Sequence, residues 1–188
     1  MNYLKYIIIH HIGGTDLNPS FDTSNQSFEV VNEYHRQKWD FKSAFGFYLG
    51  YQYFIDKYGK VTQARRDDET GAHTIGQNNS SIGICLAGNF DVTLPTPEQV
   101  EALKVLVISL KDKYNIRLEN IVPHRHFAKK TCFGTLLSDD WLVKLLTPVH
   151  SVAVPCASEK DIIKQQEETI SNLQKFIRSI INLLTKQL

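Results

Sequence analysis

The stretch VPHRHFAKKTCFGTLL, residues 122 to 137, places His124, His126 and Cys132 in one polar segment, and YIIIHHIGG near the N-terminus adds His10 and His11. Imidazole and thiolate are borderline-soft donors that hold zinc at about 2.0 to 2.3 Å; three protein ligands with an open fourth position mark a catalytic rather than a structural site. One histidine from each segment plus Cys132 would make such a set. The residues alone leave His10 against His11, and His124 against His126, undecided. The competing reading is of surface histidines and a buried thiol.

Positioning these groups requires a scaffold. Residues 4 to 9, LKYIII, read as a strand because β-branched residues dominate and Gly13-Gly14 soon interrupts the pattern. From about Ser24 to Lys38, Phe28, Val31, Tyr34 and His35 recur at helical spacing, which predicts a helix with one buried face. YQYFID and KYGKVTQA read as two strands joined at Tyr58-Gly59, and SSIGICLAGNF as a central strand covered on both faces. Thr96, Pro97 and Gln99 form the start signal of a helix whose buried stripe is Val100, Leu103, Val107 and Leu110. A last helix falls around SDDWLVKLL. The expected fold class is α/β, a mixed, mostly parallel central sheet flanked by helices, with ligands bound beyond the strand ends where His10 and His11 fall.

This domain is expected over residues 1–148, followed by a linker over 149–158 and a long C-terminal helix over 159–188. In that helix Ile163, Gln166, Ile170, Leu173, Ile177, Ile180 and Leu184 follow alternating steps of three and four, a coiled-coil-like seam that predicts a homo-oligomer. The net charge of +1 gives no reason to expect nucleic acid or an anionic membrane as partner, and no segment has the roughly 18 apolar residues of a membrane span. The N-terminus lacks a signal peptide, so the chain is expected to be cytoplasmic as synthesised. Three cysteines, Cys85, Cys132 and Cys156, are too few and too widely spaced for a disulfide framework.

Read in order, IIIHH, GYQYFIDKYGKV, ARRDDETGAHTIGQNNSSIGICLAGNF, TPEQVEALKVLV and VPHRHFAKKTC resemble the zinc-dependent N-acetylmuramoyl-L-alanine amidases. Phage endolysins and peptidoglycan-recognition proteins share that family, and the resemblance runs from about residue 5 to 146. It implies His10, His124 and Cys132 as zinc ligands, and Tyr51 and Lys130 as the side chains needed for activity. It also implies His73 near the metal, lining a substrate groove. Arg65 or Arg66, with Arg66 the candidate, would meet a stem-peptide carboxylate, and Asn79 beside Asn78 would shape or line the same region. The implied reaction cleaves the amide between muramic acid and L-alanine in peptidoglycan, in the manner of an endolysin reaching the wall after release. Two other readings stand beside it, a non-catalytic peptidoglycan-binding module and a cytosolic amidase that recycles muropeptides. The aromatic segment WDFKSAFGFYLGYQYF either walls the groove or lengthens the connection to the next strand.

Overall fold

Four parallel strands and one antiparallel edge strand carry the site. The computed structural model describes residues 4–147; the linker, the C-terminal helix with its expected self-association, and Cys156 fall outside the described residues. The sheet contains β1 (Tyr6–His11), β2 (Tyr53–Ile55), β3 (Val61–Gln63), β4 (Ser81–Leu86) and β5 (Ile121–Pro123), in the order β3-β2-β4-β1-β5. β1 lies parallel to β4 and β5, β2 parallel to β4, and β3 antiparallel to β2. This is the mixed, mostly parallel sheet with flanking helices that the residues predict. Ile7, Ile8 and Ile9 are fully buried, as a continuous apolar run must be when both faces of a parallel strand are covered.

Register assigns the faces. His10 pairs with Cys85 and Cys85 with Phe54, so these side chains share one face; Ile9, Ile84 and Tyr53 share the other. On that second face α2 (Pro97–Tyr114) and α3 (Asp139–Leu146) bury Leu103, Val107, Leu110, Leu142 and Leu146 against the isoleucines. On the first face α1 (Phe28–Trp39) closes a smaller core of Val31, Leu49, Phe54, Ala64, Cys85 and Ala87.

Local signals account for the helix ends. The Thr96 hydroxyl accepts the Gln99 N–H while the Gln99 carboxamide accepts the Thr96 N–H, with Pro97 in the first turn. Gln99 replaces the expected Val100 in the buried stripe, because its amide group donates to the Ala87 carbonyl at the end of β4. α1 starts at Phe28, four residues later than the periodicity suggests. Asp22 accepts the Ser24 N–H and hydroxyl, and the Gln26 N–H bonds to Thr23, so residues 22–26 are committed to a turn. Tyr34 is 46% exposed rather than buried, which leaves Val31 and His35 to face inward. Among the described residues no helix is long and apolar enough to cross a membrane.

Candidate metal centre and cleft

Between α1 and the sheet face that carries His10 lies an open cleft of about 1070 Å³. It does not sit simply beyond the strand ends: part of its floor is the face itself, where β4 offers Cys85. Val30, Tyr34, Lys38 and Trp39 from α1 form one wall. The loop from Phe127 to Cys132 forms the other.

His10 and His11 are separated by the alternation of the strand. His10 points into the cleft. His11 turns to the other side of the strand: it borders the cleft at Gly13, while its Nδ1 accepts the Phe90 N–H at 2.9 Å and its ring lies against that of Phe90. Of the second pair, His124 lines the cleft and His126 is exposed against Phe127. One nitrogen of His10, one of His124 and the Cys132 sulfur all lie within 4.8 Å of one another.

The donor set fits zinc. Tetrahedral ligands at zinc bond lengths are roughly 3.3 to 3.8 Å apart, and Cys132 Sγ lies 3.7 Å from His10 Nδ1. The two imidazoles are neutral, as ligands must be: burial, then the neighbouring charge of Lys130, holds His124 down to about 4. His10 is held well below its usual range by burial, then by His73 and His124. Burial pushes the Cys132 thiol up to about 12, and a coordinated cation reverses that effect by stabilising the thiolate.

The loop bearing Cys132 is held by its own arginine. The Arg125 N–H donates to the Cys132 carbonyl at 2.6 Å, and its guanidinium donates to the carbonyls of Gly134 at 2.7 Å and Leu137 at 2.5 Å. It also pairs with Asp139 and stacks over Phe133. Asp91 fixes the outer side, accepting the Thr131 hydroxyl and the Thr135 N–H, each at 2.7 Å. Neither Arg125 nor Asp91 is recognisable from sequence: most partners of Arg125 are main-chain carbonyls, and those of Asp91 lie 40 and 44 residues away.

Tyr51 enters from the residue pair just before β2 and lines the cleft, its ring 4.9 Å from that of His10. Burial, then the nearby Cys85 and Cys132 sulfurs, pushes its phenol well above the usual value, so the hydroxyl keeps its proton. Lys130 lies on the exposed rim of the same cleft. His73 lines it too, with Nδ1 3.1 Å from His10 Nε2.

Two candidates fall elsewhere. Arg66 is exposed, sits 3.6 Å from Asp68 and does not line the cleft. Its neighbour Arg65 is fully buried and donates to the carbonyls of Leu49 and Phe41, which makes it a brace for the loop before β2. Asn79 is exposed, whereas Asn78 lines the cleft and its side-chain carbonyl accepts the N–H groups of His73 and Thr74. The aromatic segment is a connection more than a wall: Phe47 packs edge-on against Phe28, and Phe41 stacks on Arg65, with only Trp39 and Tyr51 reaching the cleft.

One cleft residue is legible in the sequence only as part of the buried face of α1. His35 is buried on α1, and its Nδ1 accepts the Gly50 N–H at 2.9 Å, which places its proton on Nε2.

The sequence profile of the N-acetylmuramoyl-L-alanine amidases matches residues 1–135. The chain is 34% identical over 89 residues to an endolysin of Klebsiella phage KP32, covering 45% of this chain and 58% of that one. It is 29% identical over 135 residues to peptidoglycan-recognition protein SC2 of Drosophila melanogaster, covering 71% and 70%. The match with peptidoglycan-recognition protein 2 of Holotrichia diomphalia spans 51% of that protein's length, so the chain matches little more than half of some curated relatives. Among solved structures, the N-acetylmuramoyl-L-alanine amidase LysC from Clostridium intestinale superposes with a TM-score of 0.60 at 26% identity, over 76% of this chain and 85% of that one. The fold, the order of the motifs and the profile match agree: the chain belongs to the N-acetylmuramoyl-L-alanine amidase family.

Proposed function

We propose that the chain is a zinc-dependent amidase that hydrolyses the bond between N-acetylmuramic acid and L-alanine in peptidoglycan, acting as an endolysin. The observation that supports this most is the convergence of His10, His124 and Cys132 inside an open cleft that also holds Tyr51 and Lys130.

An amide is a poor electrophile, so its hydrolysis requires an activated nucleophile, relief of charge on the carbonyl oxygen and a proton for the departing amine. The chemistry that zinc supplies when bound by such a set is Lewis acidity, which polarises a carbonyl and makes water acidic enough to attack near neutral pH. The rest is done by the chain. Lys130 brings an ammonium to the rim, where it offsets charge developing on the carbonyl oxygen. Tyr51, kept protonated by its burial beside His10, would donate a hydrogen bond to the carbonyl or the attacking water; the departing amine takes its proton from Tyr51 or Lys130, which regains one from that water. The α1 wall orients the polymer and sheds water from one side of the scissile bond.

Release of new amino termini from purified peptidoglycan tests the proposal, with the wild type, a metal-stripped sample restored with zinc, and Cys132→Ser. Zinc-dependent release that disappears in Cys132→Ser supports amidase and ligand together. Removing the Lys130 ammonium with Lys130→Met lowers kcat by about 100- to 1000-fold, the scale of a lost oxyanion donor, while zinc uptake is unchanged. A recognition role is the second reading, favoured by the match to the Drosophila recognition protein over 71% of the chain. Co-sedimentation with peptidoglycan without release, zinc being present, would replace the first reading with the second.

A further inference from the structure

We propose that His73 is a positioning residue that fixes the tautomer of His10, and thereby strengthens metal binding at His10 Nδ1. The proposal rests on His10 as a zinc ligand, but its geometry can be tested without the metal.

A neutral imidazole has one N–H and one lone pair. His10 turns Nδ1 toward Cys132, at 3.7 Å from the sulfur, and Nε2 toward His73, at 3.1 Å from Nδ1 of that ring. For Nδ1 to be a ligand, the proton of His10 must sit on Nε2, and it then needs an acceptor. The nearer candidate is Nδ1 of His73, since Thr74 Oγ1 lies at 3.5 Å. His73 must then carry its own proton on Nε2, with the Thr74 hydroxyl, 3.0 Å from Nδ1, as a second donor to that nitrogen. The reverse arrangement, with His73 donating from Nδ1 to His10, would put the His10 proton on Nδ1 and block the ligand position.

Among the described residues Nε2 of His73 is buried without a protein partner, so Nδ1 carries both polar contacts of that ring, to His10 and to Thr74. The fold also clears space for that ring. A Cβ built on Gly83 would lie 2.7 Å from it, and one on Gly71 would lie 2.6 Å from it. Asn78 then holds the backbone, accepting the N–H groups of His73 and Thr74 at 2.8 and 2.7 Å. Metal-bound histidines commonly donate their second N–H to an outer partner, and here that partner is a second imidazole.

The direct measurement is the nitrogen chemical shifts of the imidazoles in the metal-free, full-length chain. The expected pattern is a bare Nδ1 and a protonated Nε2 on both His10 and His73. A proton on Nδ1 of His73 overturns the proposal. Zinc titration by calorimetry adds a second readout. His73→Leu keeps similar bulk but removes the acceptor, and should weaken zinc by about 10- to 100-fold. His73→Asn returns an oxygen near the position of Nδ1 and should restore affinity to within a few-fold of wild type. Thermal unfolding of the metal-free variants shows whether the fold has survived. Equal weakening in both variants, or none in His73→Leu, also overturns the proposal. If the wild type binds no zinc, the metal reading of the cleft fails, and the nitrogen shifts still decide whether His73 receives the His10 proton.

Discussion

On the sheet face under α2 and α3, Ile7, Ile9, Ile82, Ile84 and Leu86 meet leucines, a valine and the Phe90 ring. On the face under α1 the same strands present His10, Gly83 and Cys85. The first face is an apolar core in which any shape-preserving side chain serves. The second keeps only a small core beneath α1, and the remainder of its area is given to imidazoles, a phenol and thiols that each need a placed partner. The sheet thus separates the part that makes the chain fold from the part that makes it act, and a shift of one residue along a strand moves a side chain from one to the other.

Adjacent residues should therefore fail in different ways. His10→Ala is expected to remove zinc uptake and amide cleavage by more than the roughly 10- to 100-fold that a lost outer partner costs, with thermal stability of the metal-free protein little changed. Calorimetric titration alongside a melting curve checks it; retained zinc affinity would reassign the site. Leu103→Ala, beneath α2, is expected to cost about 2 to 5 kcal/mol of stability in a denaturant titration while activity per folded molecule holds. His11→Ala leaves the Phe90 N–H without its acceptor and should cost about 1 to 3 kcal/mol, with zinc affinity near wild type. A zinc defect as large as that of His10→Ala would erase the contrast between the faces.

Acid gives a subtler separation. Burial holds His35 and His124 down to about 4 and His73 to about 3, and His10 is lowered as well. Each stays neutral in the folded chain where the unfolded chain binds a proton, so its contribution is fully present above about pH 6.5. That contribution is lost as pH falls from about 6.5 toward about 4, by up to about 1.4 kcal/mol per pH unit for a fully buried histidine and by less for the partly exposed His124. His11, also held down to about 4 by burial, adds one such group beside Phe90, and the other four lie at the cleft. The two tryptophans report the faces separately: Trp39 stacks on His35 at 4.5 Å, and Trp141 packs on α3 against Phe133. In metal-stripped single-tryptophan variants, Trp39 emission should change at a higher pH than Trp141 emission. Coincident transitions would mean that the two faces open as one unit.

The features readable from sequence were those encoded locally. Thr96, Pro97 and Gln99 mark the start of α2 because capping is a matter of three or four neighbours. β5 is legible only in the fold: three residues ending in Pro123, between two short 3-10 turns, have no length or alternation to announce a strand. Within neighbouring pairs the residue type was legible and its partner in space was not. His10 and His11, Arg65 and Arg66, and Asn78 and Asn79 differ in which way the backbone turns them, and tertiary packing sets that. Arg125 stayed hidden for a related reason: apart from Asp139 and the Phe133 ring its partners are carbonyls, which every residue carries.

The empty position at Gly83 has an evolutionary consequence. Alanine is normally tolerated almost anywhere in a buried strand, and a glycine codon becomes an alanine codon by one base change. Here the added methyl would meet an imidazole at 2.7 Å. One of the most frequent and conservative kinds of mutation would therefore displace the His73 ring, from a strand position outside the lining of the cleft. On the proposed reading, a chain so altered would lose cleavage before it lost its sheet and its α1 wall.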